Sequence, residues 1–196
     1  RGDLSVEVGD AAVPGLQKRM IKMARARNKL VITATQMMES MITNPIPTRA
    51  EVSDVANAVL DGTDAVMLSA ETAVGDYPVE TIQAMVRICL QAEKEIEDSA
   101  LDKRLTHSKF TRIDQSIAMA ALYAASHFKV KAIVALTQSG STTLWMSRMN
   151  AGVPILALTP IESTLSKVTL FSGVHPLAFS LDSKFPSEVL RAAEDE

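Results

Sequence analysis

Apolar and polar positions follow one another in the same order three times in the first half of the chain. The clearest case begins with the β-branched run 29–34, which ends in hydroxyl side chains and predicts a buried strand. A polar stretch, 35–47, follows this run. Thr48 and Glu51 then have the spacing of a capping box, so a helix is expected to begin there. Apolar residues continue it at helical spacing, at Val52, Val55, Ala56, Val59 and Leu60.

The same order recurs on both sides of this stretch. Residues 1–7 lead into an amphipathic run at 14–27, and residues 64–69 lead into another at 78–97. Parallel strands need crossover helices between them, so three such units predict a parallel sheet or barrel. The polar residues that end the strands would then face one another at the edge where these folds bind substrates. In the run 14–27 the apolar positions are Leu16, Met20, Met23 and Ala24, and the methionines are expected to fill the core.

The second half of the chain alternates in a similar way after a polar, aperiodic stretch at 98–110, which predicts a linker. A small three-layer α/β domain with a parallel sheet is expected beyond it. The helices should lie at about 114–128, 142–150 and 163–171, and the strands at 131–136, 154–158 and 174–179. Residues 187–196 predict one more helix. The predicted domains are therefore 1–97 and 111–196.

Composition narrows the functional classes. The chain has 196 residues, 47% of them hydrophobic, which is enough to bury a core, and its net charge of -3 provides no basic field for nucleic acid. The single Cys89 excludes a disulfide scaffold and favours a reducing compartment. No apolar stretch approaches the length of a membrane span. A cytoplasmic protein with no nucleic-acid or membrane partner is expected. A complete barrel needs about 250 residues, so we also expect a piece of a larger protein.

Two groups of residues carry candidate chemistry in the first half. In Arg1-Gly2-Asp3 the glycine allows close approach of a ligand to the backbone, and the aspartate offers a hard oxygen for a divalent cation. The Thr35 hydroxyl, at the end of a predicted strand, can bond a substrate oxygen or pass a proton. The alternatives are a simple turn with a capping aspartate and a threonine that caps the turn after the strand.

A third candidate lies in the second half, between a predicted strand and a predicted helix. Its residues are Thr137, Gln138, Ser139, Gly140, Ser141 and Thr142. Free backbone N–H groups and the positive end of the helix dipole make such a loop suitable for an anion, phosphate above all. The alternative is an ordinary helix capped by serine or threonine.

Several of these stretches together resemble the C-terminal part of a pyruvate kinase, in a form similar to bacterial members of the family. The resemblance is carried by Arg1-Gly2-Asp3-Leu4 and by the segments 32–41 (ITATQMMESM), 44–51 (NPIPTRAE) and 54–72 (DVANAVLDGTDAVMLSAET). It covers nearly all of residues 1–97 and continues more loosely from 114 to 179. It implies a partial (β/α)8 TIM barrel followed by a three-layer α/β/α regulatory domain with a parallel sheet.

The resemblance implies phosphoryl transfer from phosphoenolpyruvate to ADP, giving pyruvate and ATP in the last step of glycolysis. It implies Mg²⁺ or Mn²⁺ together with K⁺, and a cytoplasmic homotetramer. Asp3 would ligate the divalent ion and contact substrate, and Gly2 would contact substrate through its backbone. Thr35 would lie beside the substrate and assist proton delivery, with Arg1 next to it and Ser69 a weaker candidate for the proton relay.

The resemblance also sets limits. It places a catalytic lysine, a second acidic metal ligand and the small domain that closes over the nucleotide before Arg1, so the fragment alone is expected to be inactive. The loop 137–142 would bind the phosphate of a sugar-phosphate or nucleotide effector, but Ser141 stands where relatives often carry arginine. Two alternatives remain: a phosphate-binding or oligomerisation module without catalysis, and another barrel enzyme that handles phosphoenolpyruvate, such as a lyase.

Overall fold

The computed structural model describes residues 1–97, 113–128, 130–149 and 152–179. The chain forms two units, Arg1–Ser99 and Ala100–Glu196, and each is described here by itself. The predicted linker at 98–110 and the predicted helix at 187–196 lie outside the described residues. None of the helices in the described part of the chain combines the length and the hydrophobicity that crossing a membrane requires.

The first unit alternates helices with two short strands. Its elements are α1 (Gly2–Val8), a 3₁₀ helix (Asp10–Ala12), α2 (Val13–Ala26), β1 (Ile32–Ala34), a second 3₁₀ helix (Glu39–Ile42), α3 (Arg49–Leu60), β2 (Ala65–Met67), α4 (Ala70–Ala73) and α5 (Pro78–Glu97). β1 and β2 are parallel, with Ile32 opposite Ala65, and α3 is the crossover between them. The predicted strand and helix at 29–60 are thus confirmed, whereas the connecting stretch, predicted to be polar, contains a 3₁₀ helix and buried methionines.

Polar side chains tie the two strands together at their beginning. The Asp64 carboxylate accepts the Val31 N–H at 2.9 Å, and the Thr63 hydroxyl donates to the Val31 carbonyl at 3.0 Å. The buried Thr33 hydroxyl donates to Thr63 at 3.0 Å. These bonds lie just before β2. Gly62 follows the end of α3 and has a φ of +93°. The predicted helix stop at Gly62 is confirmed.

The prediction of a strand in the first of the three units, at residues 1–7, is wrong, because Gly2–Val8 form the helix α1. Asp3 lies in its first turn, where a carboxylate is favourable to the helix dipole. The Ser5 N–H donates to the Arg1 carbonyl at 2.9 Å, and the Ser5 hydroxyl donates to the Gly2 carbonyl at 2.6 Å. Local polar groups therefore satisfy a helical turn here, and the described part of this unit has two strands rather than three.

The prediction for the buried face of α2 is also wrong. Gln17 and Ile21 are buried, whereas Met20 and Met23 are 49% and 44% exposed. Gln17 is buried where its amide oxygen accepts from the Arg1 guanidinium at 3.2 Å. The Lys18 ammonium binds Asp61, and the Arg25 guanidinium donates to the Gly62 carbonyl at 2.8 Å. Polar contacts with other segments of the unit thus accompany the observed face of α2.

Methionines fill the core of the first unit. Met37, Met38 and Met41 are completely buried in the segment after β1. They belong to one cluster with residues of α3 and α5, namely Val55, Ala58, Ala84 and Met85. Methionine adapts its shape to irregular spaces, which suits a core formed by a turn and two helices. Of the apolar stripe predicted on α3, Val55 is fully buried, whereas Val52 and Leu60 are exposed.

The second unit contains a parallel sheet, as predicted. Its elements are α6 (Ile113–Phe128), β3 (Ile133–Leu136), α7 (Ser141–Met149), β4 (Ile155–Thr159), α8 (Glu162–Val168) and β5 (Val174–Ala178). The strand order is β3-β4-β5, with Ile155 opposite both Ile133 and Val174. The central strand β4 is the most buried, and α6 turns a stripe of Gln115, Ala118, Leu122 and Ala125 inward. β3 ends directly before the loop 137–142.

The capping box at the start of α3 is present and extends beyond the helix. The Thr48 side chain accepts the Glu51 N–H, and the Glu51 carboxylate accepts the Thr48 N–H at 2.8 Å. The same carboxylate accepts the backbone N–H of Ser40 at 2.7 Å and the Ser40 hydroxyl. Burial alone would raise the pKa of Glu51, but the hydrogen bonds from Ser40 and Thr48 outweigh it and lower that pKa. Glu51 therefore joins α3 to the segment that follows β1.

We predict that Glu51→Gln destabilises the chain by about 1 kcal/mol at neutral pH, because the amide has no charge and keeps a single acceptor oxygen for the groups of Ser40 and Thr48 that the carboxylate now binds. Because the pKa of Glu51 is lowered in the folded state, its stabilisation is complete above the ordinary value of 4.5 and is lost as the pH falls through the lowered value. Urea unfolding of the unsubstituted chain and of Glu51→Gln between pH 7 and pH 3 should therefore show a difference in the free energy of unfolding that decreases as the pH falls. Glu80→Gln, at an exposed first-turn position of α5, is the matched control; a pH-independent difference for Glu51→Gln would contradict the prediction.

Candidate active site

The turn after β1 has an unusual backbone. Thr35 and Gln36 have φ values of +67° and +52°, so two consecutive residues with side chains adopt the left-handed conformation. Each such residue costs about 1 kcal/mol or more and persists only where surrounding contacts hold it. Such strain is typical of functional sites. The turn also directs three successive carbonyl oxygens, of residues 34 to 36, toward the side chain of Arg1.

Arg1 holds this turn through its guanidinium. Its Nε donates to the carbonyls of Ala34 and Thr35, at 3.2 Å each. Its Nη2 donates to the carbonyls of Thr35 at 2.6 Å and Gln36 at 3.1 Å. Nη1 reaches the Gln17 amide oxygen at 3.2 Å and forms an ion pair with Asp54 at 2.5 Å. The planar donor fork of arginine suits this arrangement, and lysine could not reproduce it.

The structure brings Gly2 and Thr35 together, as the sequence predicts. The Thr35 hydroxyl oxygen lies 2.9 Å from the main-chain nitrogen of Arg1 and accepts the Gly2 N–H at 3.4 Å. Asp3 follows in the first turn of α1, with its side chain exposed. Ser69 follows β2, but within the described residues no hydrogen bond joins it to Thr35, and its N–H is bonded by Glu71.

An open groove of about 280 Å³ begins at this turn. It is lined by Arg1, Ser5, Asp10, Val13, Pro14, Gln36 and Asp54. The Arg1 side chain is only 15% exposed, while that of Asp54 is 38% exposed. The guanidinium charge is therefore largely committed to carbonyl dipoles and Asp54 and is not free to bind an anion in the groove. Its main effect is on the shape of the turn.

A divalent cation can be tested against the acids present. In the part of the chain that the structure describes, no three His, Cys, Asp or Glu residues converge to enclose a metal ion. Mg²⁺, however, is commonly held by one or two carboxylates together with substrate oxygens and water. An exposed Asp3 carboxylate next to the Gly2–Thr35 contact fits such a site as one ligand.

Nothing local in the sequence points to Asp54 or Gln17 as parts of this site. Asp54 is 53 residues from Arg1 and Gln17 is 16 residues from it, and both lie within helices that look ordinary.

The loop at 137–142 has a defined geometry of its own. The Thr137 N–H donates to the Leu158 carbonyl at 3.0 Å, which continues the sheet. Its hydroxyl oxygen accepts the Gly140 N–H at 2.9 Å, and the Ser139 hydroxyl donates to Ser141 at 3.1 Å. α7 begins at Ser141, so the first-turn N–H groups of that helix have no carbonyl one turn earlier to bond. The loop thus presents hydroxyls and a helix N-terminus together, as the sequence predicts.

α8 braces this loop with two residues to which no local pattern points. The Thr164 hydroxyl donates to the Gln138 carbonyl at 2.7 Å, and the Lys167 ammonium donates to the Ser139 carbonyl at 3.1 Å. Gly140 has a φ of +77°, and a Cβ there would lie 2.8 Å from Val168 Cγ1. The loop is therefore packed against α8 at a position that only glycine fits, with one cation at its edge.

Comparison with known sequences gives a consistent result for both units. The family model "Pyruvate kinase, barrel domain" matches residues 1–82, and "Pyruvate kinase, alpha/beta domain" matches residues 115–195. This chain belongs to the pyruvate kinase family. The predicted resemblance, its bacterial character and the predicted fold class, a partial barrel followed by an α/β domain with a parallel sheet, are confirmed.

Individual relatives support the same assignment. Pyruvate kinase II of Salmonella typhimurium is 57% identical over 91% of this chain and 37% of its own length. The pyruvate kinase of Haemophilus influenzae is 54% identical over 94% of this chain and 38% of its own length. A crystal structure of a pyruvate kinase from Cryptosporidium parvum matches the whole chain and 41% of its own, with a TM-score of 0.88 and 35% identity. The chain thus spans well under half the length of these relatives.

We predict that Gly140→Ala destabilises the second unit by about 1–3 kcal/mol, because the new methyl group combines a left-handed backbone with a clash against Val168. Gly15→Ala is the matched control, since Gly15 lies inside α2 with no atom within 4 Å of the added Cβ. That control should be neutral or stabilising by up to about 1 kcal/mol. Thermal unfolding of the two variants measures both effects, and equal midpoints would show that the close packing of Gly140 is unimportant.

Proposed function

We propose that this chain is the C-terminal part of a pyruvate kinase, which transfers a phosphoryl group from phosphoenolpyruvate to ADP. The observation that carries the proposal is the contact of the Thr35 hydroxyl with the Gly2 N–H, on a strained turn that the Arg1 guanidinium holds at the end of a parallel strand. Membership of the family supports the reaction class. In this reaction phosphoenolpyruvate, ADP and one proton yield pyruvate and ATP.

The beginning of α1 suits the anionic substrate. Gly2 and Asp3 lie in its first turn, next to the Thr35 hydroxyl. Gly2 has no side chain, and no atom lies within 4 Å of where its Cβ would be, so a ligand can approach the backbone closely. We therefore assign substrate binding to Gly2 and Asp3, beside Thr35.

The hydrogen bonds of Thr35 explain how it could handle a proton. Its hydroxyl oxygen accepts the Gly2 N–H, so its own hydrogen is left to donate outward. When phosphoryl transfer leaves the enolate of pyruvate, the methylene carbon must take up one proton. We assign Thr35 to that delivery, directly or through water, with Arg1 fixing its position and Ser69 as a further candidate in the relay.

The divalent ion would be held in part by Asp3. Mg²⁺ or Mn²⁺ bound there would stabilise the charge that develops on the transferred phosphoryl group. K⁺, a cytoplasmic location and a homotetramer complete the proposal for the whole enzyme, on the strength of the family alone.

A second function is favoured for the second unit, namely binding of a phosphate-bearing effector at 137–142. The supporting observation is that Lys167 adds a positive charge at the edge of a hydroxyl loop that already precedes a helix N-terminus. Ser141 offers an uncharged hydroxyl in the loop, so Lys167 would be the main cationic contact. A sugar phosphate or a nucleotide is the ligand class.

The catalytic proposal is tested with a chimera that joins the upstream part of Salmonella typhimurium pyruvate kinase II to this chain. We expect Mg²⁺-dependent formation of ATP by the chimera and none by the chain alone. Thr35→Val should lower kcat by about a hundredfold, the usual contribution of a positioned proton donor, with a small change in the KM for phosphoenolpyruvate. Thr43→Val, at an exposed position of the same connecting segment, should leave kcat unchanged. An inactive chimera, or equal kcat values for the two variants, would reject the proposal.

The regulatory proposal is tested by calorimetric titration of the chain with inorganic phosphate, AMP and a hexose bisphosphate. At least one probe should bind, and Lys167→Gln should weaken its binding by about tenfold, since a charged hydrogen bond to phosphate is lost. Lys131→Gln is the control, because Lys131 is an exposed lysine before β3, at the other end of that strand from the loop. Equal affinities for the two variants would count against a role of Lys167.

A further inference from the structure

Glu71 is a buried acid to which the proposed reaction assigns no part. It lies in the first turn of α4, directly after β2, and is only 3% exposed. A carboxylate is rarely buried to this extent unless specific partners hold it. Its partners therefore indicate what it does.

The two carboxylate oxygens of Glu71 bind different parts of the chain. Oε2 accepts the N–H of Ser69 at 2.7 Å, at the end of β2. Oε1 accepts the N–H of Met38 at 3.1 Å, in the segment that follows β1. One side chain thus connects the ends of the two parallel strands on the side where the candidate active site lies.

The bond from Met38 to Glu71 holds the segment directly after the strained turn. Met38 is completely buried and comes two residues after Gln36, where the left-handed pair ends. Without the carboxylate its N–H would be a buried donor with no acceptor, which is costly. Arg1 binds the same turn through the carbonyls of residues 34 to 36. The turn is therefore bonded by Arg1 at its carbonyls and by Glu71 at the N–H that follows it two residues later.

α4 is itself fixed to the same segment. The Asp76 N–H donates to the Ile42 carbonyl at 2.8 Å. A Cβ on Gly75 would lie 2.5 Å from the Glu71 carbonyl oxygen and 3.3 Å from the Ile42 Cα, so the backbones approach closely there. The segment that carries Glu71 is therefore packed against, and bonded to, the end of the second 3₁₀ helix.

We propose that Glu71 is a positioning residue for the active site: by bridging Met38 and Ser69 it holds the turn at Thr35 and Gln36 in its left-handed form. The Thr35 hydroxyl then remains against Gly2, in position to deliver a proton. This inference rests on the proposed function of Thr35. Glu71 does not touch substrate, and its effect passes through the backbone.

The first readout is amide hydrogen exchange of the 196-residue chain, measured by NMR. Glu71→Gln keeps one acceptor oxygen, so it cannot accept both N–H groups, and exchange at Met38 should accelerate by about tenfold. Glu39→Gln is the control, because Glu39 is an exposed acid next to Met38; it should leave that rate unchanged. Unchanged exchange at Met38 in Glu71→Gln would overturn the proposal.

The second readout uses the chimera with the Salmonella typhimurium upstream part. Glu71→Gln should lower kcat by about tenfold while the KM for phosphoenolpyruvate changes by less than about twofold, since the turn and not substrate binding is disturbed. Glu71→Asp keeps a shorter carboxylate, so its kcat should lie between those of the unsubstituted chimera and of Glu71→Gln. It replaces the glutamine variant if that one does not fold. A purely structural role would lower the unfolding temperature and leave kcat per folded enzyme unchanged, which would reject the proposal. If the unsubstituted chimera shows no kinase activity, the proposed function fails, while exchange at Met38 still decides whether Glu71 holds the turn.

Discussion

The guanidinium of Arg1 holds a turn that the chain would not adopt unaided. Two consecutive left-handed residues after β1 cost about 1–3 kcal/mol each, and the bonds from Arg1 to three successive carbonyls offset that strain. The charge can be partly buried because Asp54 lies against it and the carbonyl dipoles surround it. The position of Thr35, and with it the proposed proton delivery, depends on this arrangement.

Helix α3 connects the parts around that turn. At its start Glu51 binds Ser40 of the connecting segment, one turn later Asp54 binds Arg1, and Val55 then enters the methionine core. Its far end carries Asp61, which anchors α2 through Lys18. A single helix therefore fixes the segment after β1, the arginine and the flanking helix relative to one another. Its crossover position between two parallel strands makes this possible.

Both units place polar loops at the carboxyl ends of parallel strands, but they stabilise them differently. After β1 the left-handed positions carry Thr35 and Gln36, of which Gln36 lines the groove, and bonds from Arg1 offset the strain. After β3 the left-handed position is Gly140, which has no strain to offset and lies where no Cβ would fit. The strained turn after β1 keeps the Thr35 hydroxyl in place, whereas Gly140 allows the backbone of its loop to pack closely against α8.

What the sequence determined by itself is what neighbouring residues decide: the helix periods, the capping box at Thr48 and Glu51, the stop at Gly62, and hydroxyls at the ends of strands. Interactions between distant residues decided the rest. The face of α2, the pairing of Arg1 with Asp54 across 53 residues, and the approach of Lys167 to Ser139 across 28 residues follow from packing, which no local pattern encodes. Helix α1 stands where the sequence pattern indicated the first strand, with Asp3 in its first turn and the Ser5 hydroxyl bonded to the Gly2 carbonyl. Local preference selected the elements, and tertiary contacts selected which of their side chains meet.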